Sequence, residues 1–240
     1  MAEPVLLARG RDADVYALDD ATVLRRVRVP GSSRTLHEAK VMAYLAEQGY
    51  PVPRVLDADE DSMVMQRLTG PTLLDDLQKR PWTLRANART LARLHDELGA
   101  IDAPAWLEAP RVQSGPTPHR RGMLHLDLHP GNVIATPQGP VVIDWTNAAA
   151  GDPALDVAKT FATIATADLP TAAGRLLCRA YARALRRAAR TDPGPRIADA
   201  VREKLLDPNV SAAEAARLHA LLARETGAPG GRVDQDPAAG

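Results

Sequence analysis

This chain is short of cysteine, of net charge and of long apolar runs, and each shortage removes a class of protein. Its single cysteine, Cys178, excludes an intrachain disulfide and lies in an Ala/Leu/Arg helical pattern, where a small buried apolar role is expected. With 30 basic and 30 acidic side chains the formal charge is zero, so no global field draws nucleic acid or an anionic membrane surface to it. No apolar run approaches the ~18 residues of a membrane helix, and the opening MAEPVLLARG lacks a basic start followed by an apolar core. A cytoplasmic protein with no nucleic-acid and no membrane partner is expected. What remains is ordinary: 240 residues, 45% of them hydrophobic, suffice for one large domain or two small ones, with no internal repeat.

The informative stretch runs from His125 to Asp144, HLDLHPGNVIATPQGPVVID. Val133 to Ala135 and Val141 to Ile143 are short β-branched runs separated by the turn cluster Thr136-Pro-Gln-Gly-Pro140, so they read as two arms of a hairpin. Asn132 opens the first arm and Asp144 closes the second, which brings both oxygen-bearing side chains to one end of the ribbon, with Asp127 just before them. A hard cation such as Mg²⁺ takes such oxygens, keeps several waters and is completed by substrate phosphates. Asp127 is placed to accept a proton from a substrate hydroxyl.

The run His125-Leu-Asp127-Leu-His-Pro-Gly-Asn132 resembles the catalytic loop of protein-kinase-like phosphotransferases, whose protein-kinase form is H-R-D-L-x-x-x-N. The histidine two places after the aspartate, and Ile143-Asp144-Trp145 in place of D-F-G, are similar to the small-molecule branch: aminoglycoside phosphotransferases, choline kinases and their relatives. The resemblance implies that Asp127 is the catalytic base, that Asn132 and Asp144 hold Mg²⁺, and that His125 supports the loop. It also implies an α+β, two-lobe fold: a small N-terminal antiparallel sheet with one helix, and a larger, mainly helical C-terminal lobe.

Taken in order, Val5 to Ala8, Asp14 to Leu18 and Thr22 to Val29 suit a three-stranded meander. Its first connection, Arg9 to Asp14, falls where kinase-like folds cover the nucleotide phosphates, but only Gly10 is available there. A phosphate loop and an ordinary polar turn both fit. Alternation along strand three puts Val23, Arg25 and Val27 on one face, and Val23 and Arg25 match the V-A-I-K pair, with arginine in the lysine's place. Arg26 and Arg28 read as solubilising edge charges. A helix is expected from Ser33 to Gly49. Its Glu38 either pairs with Arg25, as the resemblance implies, or closes a capping box with Thr35. Ser62 to Leu68 reads as a strand leading to the linker, where Gln66 and Leu68 would meet the adenine through their main chains, and Met63 and Met65 read as core.

In the larger lobe, Leu73 to Gln78 and Trp82 to Leu98 read as helices, with His95 assigned to packing and a local hydrogen bond. Gly99 to Arg121 reads as a loop, in which His119 to Arg121 suits either solvated charge or the site. After Asp144 the connection is too short for an activation segment. Asp152 and Pro153 suit a helix start, and Asp156 either braces the catalytic loop or complements a helix dipole. Helical spacing recurs over Leu155 to Arg190, Ile197 to Leu206 and Ser211 to Thr226. The expected division is 1–68 for nucleotide binding, 69–226 for catalysis and the acceptor, and 227–240 as a disordered tail.

The expected activity is transfer of the γ-phosphoryl of ATP or GTP, with Mg²⁺, to a hydroxyl of a small-molecule acceptor, an antibiotic or a metabolite. From Val157 onward 13 basic face 9 acidic residues, a net of +4, which disfavours a polycationic aminoglycoside. Two readings compete. A non-catalytic nucleotide-binding relative would explain the glycine-poor loop and Arg25, although Asp127, Asn132 and Asp144 together oppose it. A transition-metal hydrolase would use His125, Asp127 and His129 as ligands on one strand face, although the other histidines are scattered. Oligomeric state is open.

Overall fold

The computed structural model describes residues 5–10, 13–31, 34–112, 121–206 and 210–227. The expected meander is β1 (Val5–Arg9), β2 (Ala13–Ala17) and β3 (Thr22–Val27), each antiparallel to the next. Two further strands, β4 (Val55–Ala58) and β5 (Ser62–Gln66), complete a five-stranded sheet in the order β1-β2-β3-β5-β4. On β3 the alternation holds: Val23 and Val27 are buried with Arg25 between them, while Arg26 is exposed. Arg28 is an ion-pair partner of Asp14 at 2.7 Å.

The single helix of this part, α1 (Thr35–Glu47), buries Val41, Met42 and Leu45 and packs on β4 and β5. Its start differs from a capping box. Thr35 is already the first helical residue, and Arg34 is the cap without a side-chain bond, so Glu38 has no cap to close. The Glu38 amide instead bonds the Arg34 carbonyl at 2.8 Å, which leaves its carboxylate to point elsewhere.

Beyond the linker, Thr72 and Asp75 form a capping box at the start of α2 (Leu73–Lys79). The next helix, α3 (Leu84–Ala100), begins later than its spacing suggests: Trp82 lies in a 3-10 turn opened by Pro81 and is 77% exposed. Leu91, Leu94 and Leu98 of α3 are fully buried. Strand β6 (Gly122–Leu124) pairs with β9 (Ala149–Gly151), a ladder that no alternation announces because each strand has three residues buried on both faces. Between them lies the expected hairpin, β7 (Val133–Thr136) and β8 (Gly139–Val142), with Val133 opposite Val142. Helices α4 (Pro153–Thr166), α5 (Ala172–Ala188), α6 (Ile197–Leu205) and α7 (Ala212–Thr226) complete the fold. No helix among the described residues is long and apolar enough to cross a membrane. His119 and most of the C-terminal tail fall outside the described residues.

The hairpin is tied to the sheet side through Val142 N, which donates to Pro51 O at 2.9 Å, and to the linker through Ala135 N, which donates to Pro71 O at 2.9 Å. Gly70 makes the second approach possible. Its φ is +145°, and a Cβ there would lie 2.1 Å from the Ala135 carbonyl oxygen. Gly70→Ala is therefore expected to cost about 2 kcal/mol or more, through both the backbone conformation and the overlap. Urea unfolding checks this, and a loss under about 0.5 kcal/mol would mean that the linker approaches the hairpin less closely.

Candidate active site

The loop from His125 to Asn132 is built around a buried carboxylate. Asp156, in the first turn of α4 and 3% exposed, accepts from His125 N at 3.1 Å and Leu126 N at 2.5 Å through one oxygen. Its other oxygen lies 2.9 Å from His95 Nδ1 on α3. Burial alone would raise the Asp156 pKa. The His95 charge and hydrogen bond, His125 and the Leu126 amide outweigh it and hold the carboxyl below its ordinary value. Asp152, not Asp156, caps the helix, accepting from Ala154 N at 3.0 Å with Pro153 following. The His95 bond is thus not local: it spans 61 residues and joins α3 to the site.

Two residues here have left-handed backbones that side chains rarely adopt, Leu126 at φ 63° and Asp144 at φ 66°. Such strain persists where surrounding bonds enforce it, and the Asp156 bond to Leu126 N is one of them. His125 supplies others. Its ring is fully buried, Nδ1 accepts from Asp127 N at 3.2 Å, and Nε2 consequently carries the proton that meets Ile143 O at 3.0 Å. Burial holds its pKa below the usual histidine value, against the pull of Asp156. The ring links the Asp127 loop to the strand leading into Asp144.

That geometry corrects the transition-metal reading. Both His125 nitrogens serve the main chain, and residues 125–129 form a loop, not one strand face. Among the described residues no group of three His, Cys, Asp or Glu side chains could hold a metal.

Asn132 donates its side-chain amide to Asp127 O at 2.9 Å, which leaves its oxygen as the end free to bind a cation. Ile143 N donates to Asn132 O at 3.0 Å, so Asn132 and Asp144 sit at one end of the hairpin. The Asp144 side chain is exposed and accepts from the Thr146 hydroxyl at 3.0 Å. Asp127 is half-buried, with His129 Nε2 4.0 Å from its carboxylate. Gly131 N donates to His129 Nδ1 at 3.0 Å and fixes that ring.

Above the loop, Arg25 Nη1 lies 3.0 Å from Glu38 Oε2. Glu38 also accepts from Trp145 N at 3.1 Å, and so ties β3, α1 and the residue after Asp144 together. Burial raises the Glu38 pKa, and Asp144 adds to the rise, while Arg25 and the Trp145 amide oppose it. Although close to Glu38, the buried Arg25 Nη1 has no well-aligned hydrogen-bond acceptor among the described residues. A guanidinium held by Glu38, together with the Asn132 amide oxygen and the Asp144 carboxylate at the hairpin end, suits a group bringing both phosphate oxygens and the rest of a metal shell.

The remaining predicted positions are more ordinary. Gly10 N donates to Ala13 O at 2.8 Å, and a Cβ there would meet that oxygen at 2.9 Å, so a tight turn accounts for this glycine. Gln66 is exposed at the end of β5 with its amide bonded to Arg54 O at 2.8 Å, and Leu68 is half-buried in the linker. Arg121 bonds the carbonyls of Leu107 and Ala150, a structural use, while His119 and Arg120 are outside the described residues. Sequence reasoning missed Trp145, Thr146 and the His95–Asp156 bond. Trp145 is fully buried, with its ring 4.5 Å from that of His125. Only its place after Ile143-Asp144 could have signalled it.

Sheet, helix, hairpin and helical base define a protein-kinase-like, α+β, two-lobe fold. Solved structures agree. A thermostable mutant of aminoglycoside phosphotransferase APH(4)-Ia, in a ternary complex with AMP-PNP and hygromycin B, superposes with a TM-score of 0.65 at 18% identity, covering 94% of each chain. The gentamicin complex of APH(2")-IIa gives 0.65 at 13% identity, over 94% of this chain and 90% of that one. The chain belongs to the phosphotransferase enzyme family, which it matches over residues 5–115 and 103–194. Among individual relatives, a probable serine/threonine-protein kinase BUD32 homolog of Archaeoglobus fulgidus is 27% identical over 146 residues, 57% of this chain and 62% of that protein. The serine/threonine-protein kinase AfsK of Streptomyces coelicolor is 30% identical over 132 residues, 48% of this chain but only 14% of the relative.

Bracing and dipole complementation by Asp156 differ in magnitude. Asp156→Ala removes the partner of three buried donors and is expected to cost about 3–5 kcal/mol, whereas a dipole role alone is worth about 0.3–1 kcal/mol. Denaturant unfolding distinguishes the two.

Proposed function

We propose that this protein is a small-molecule kinase that transfers the γ-phosphoryl of ATP or GTP to an acceptor hydroxyl. The observation that carries this reading is the convergence of Asp127, Asn132 and Asp144 at one hairpin end, with the Arg25–Glu38 pair bonded to the amide of Trp145, the residue after Asp144. Asn132 Oδ1 and the Asp144 carboxylate would hold Mg²⁺, which when bound neutralises triphosphate charge. Arg25 steadies phosphate oxygens, and Glu38 keeps it in place. Gln66 and Leu68 meet the base through main-chain atoms, Gly10 lies near the phosphates, and the division at about residue 68 separates nucleotide binding from acceptor binding. Asp127 accepts a hydrogen bond from the acceptor hydroxyl and orients it in line, while His125 and Asp156 fix the loop that carries it.

The acceptor reading favours a neutral or anionic molecule over a polycation. Beyond Asp156, the described acidic side chains are engaged within the fold: Asp168 with Arg217, Asp192 with Arg186, Asp199 with Arg196 and Arg202, Glu203 with Lys159, Glu214 with Lys204, and Glu225 with Arg186. A site for polyamines needs carboxylates that are not so committed.

Thermal unfolding with Mg²⁺-ATP tests binding. Nucleotide at ~100 times its dissociation constant adds about 2.7 kcal/mol, or roughly 5–10 °C for a chain of this size, and Asp144→Ala should lose the shift. If no nucleotide, ATP or GTP, shifts the parent, the kinase reading fails. Asp127→Ala should keep the shift and lose turnover on the order of 10²- to 10⁴-fold. A parent that binds but phosphorylates no hydroxylated acceptor would point to the non-catalytic relative.

A further inference from the structure

Residues 102–108, between α3 and β6, grip α1 from outside the site. His37, Lys40 and Tyr44 follow one another at helical spacing and form a single stripe on α1, adjoining Glu38. Trp106 covers that stripe. Its ring meets His37 edge-on at 6.0 Å and Tyr44 edge-on at 6.3 Å, and Lys40 Nζ sits 4.2 Å over it. The Tyr44 hydroxyl donates to Asp102 O at 2.7 Å, and Arg34 reaches Glu108 at 3.5 Å.

The gripping segment is anchored in turn to the large lobe. Ala103 N donates to Arg121 O at 2.8 Å, Arg121 Nη2 bonds Leu107 O at 3.1 Å, and Ala150 N bonds Glu108 O at 2.7 Å. A continuous path therefore runs from the β6–β9 ladder through Trp106 to α1. The short connection after Asp144 holds α1 through Glu38 and its neighbour His37, which meets the Ala148 main chain.

We propose that Trp106 is a positioning residue for Glu38: by clamping the outer stripe of α1 to the large lobe, it holds the helix where Glu38 reaches Arg25 and Trp145 N together. Only the consequence for nucleotide binding rests on the kinase reading. The clamp itself is a statement about the protein without ligand.

Amide hydrogen exchange of the ligand-free protein tests the clamp, with Trp145 N–H as reporter because it donates to Glu38. Trp106→Ala should raise exchange at Trp145 and along α1 by about tenfold and leave the Ile143 amide of the hairpin unchanged. Trp106→Phe, which keeps an aromatic ring, should restore protection to within about threefold of the parent. The exposed Trp82→Ala should change neither. Unchanged Trp145 exchange in a folded Trp106→Ala overturns the proposal, and so does a uniform rise that includes Ile143. If Trp106→Ala fails to fold, the double variant Arg34→Ala with Tyr44→Phe, which cuts two outer ties, is judged by the same criteria. Titration with Mg²⁺-AMP-PNP then reads the consequence, an affinity weakened about tenfold in Trp106→Ala and recovered in Trp106→Phe. Equal affinity of the two variants and the parent would overturn the coupling to Glu38. Altered exchange without AMP-PNP binding even by the parent would leave the clamp standing and remove the nucleotide reading.

Discussion

The buried carboxylate of Asp156 is the constraint on which the rest of this site depends. A charge with 3% exposure is tolerated only where donors surround it, and here the donors are the backbone of His125 and Leu126 and the ring of His95. The residue whose amide makes the shorter of these backbone bonds, Leu126, has a left-handed backbone, and the half-buried Asp127 follows it. Asp127 N then bonds His125, and Asp127 O bonds Asn132. One aspartate at a helix start thus fixes the loop that carries Asp127 and Asn132, and α3 is recruited to complete its shell.

A second joint works at the level of whole elements. Glu38 has one oxygen on Arg25 and the other on Trp145 N, so strand β3, helix α1 and the segment after Asp144 share a single carboxylate. Burial disfavours its charged form, and the guanidinium and amide oppose that penalty. Trp145 adds packing to the joint, with its ring edge-on to Tyr50 at 5.7 Å, while the Tyr50 hydroxyl donates to Leu94 O at 3.1 Å. The sheet side and the helical side therefore meet through a compact set of polar and aromatic contacts around Glu38 and Trp145.

The structural neighbours and the relatives differ in what their names say they act on, aminoglycosides in one group and proteins in the other. What the solved structures share with this chain is the protein-kinase-like fold. On α6 and α7 the acidic side chains stand in ion pairs with arginine and lysine: Asp199 with Arg196 and Arg202, Glu203 with Lys159, Glu214 with Lys204 and Glu225 with Arg186.

The local parts of the site were legible in sequence because short-range rules govern them. A turn cluster between two β-branched runs dictates a hairpin, and the hairpin brings Asn132 and Asp144 to one end whatever surrounds it. Alternation on β3 likewise fixed the face of Arg25, and the order of motifs implied the fold. The choices between competing partners were not legible. Whether Glu38 capped its helix or crossed to Arg25 depended on a helix start displaced by one residue, and whether Asp156 complemented a dipole or braced a loop depended on a loop 30 residues away. The same holds for His95, whose local environment suggested packing and whose partner lies on another helix. Spacing along a chain specifies which side chains share a face. Which of two compatible partners a buried charge takes is decided only when distant segments close around it, because the cost of leaving that charge unsatisfied is incurred only on burial.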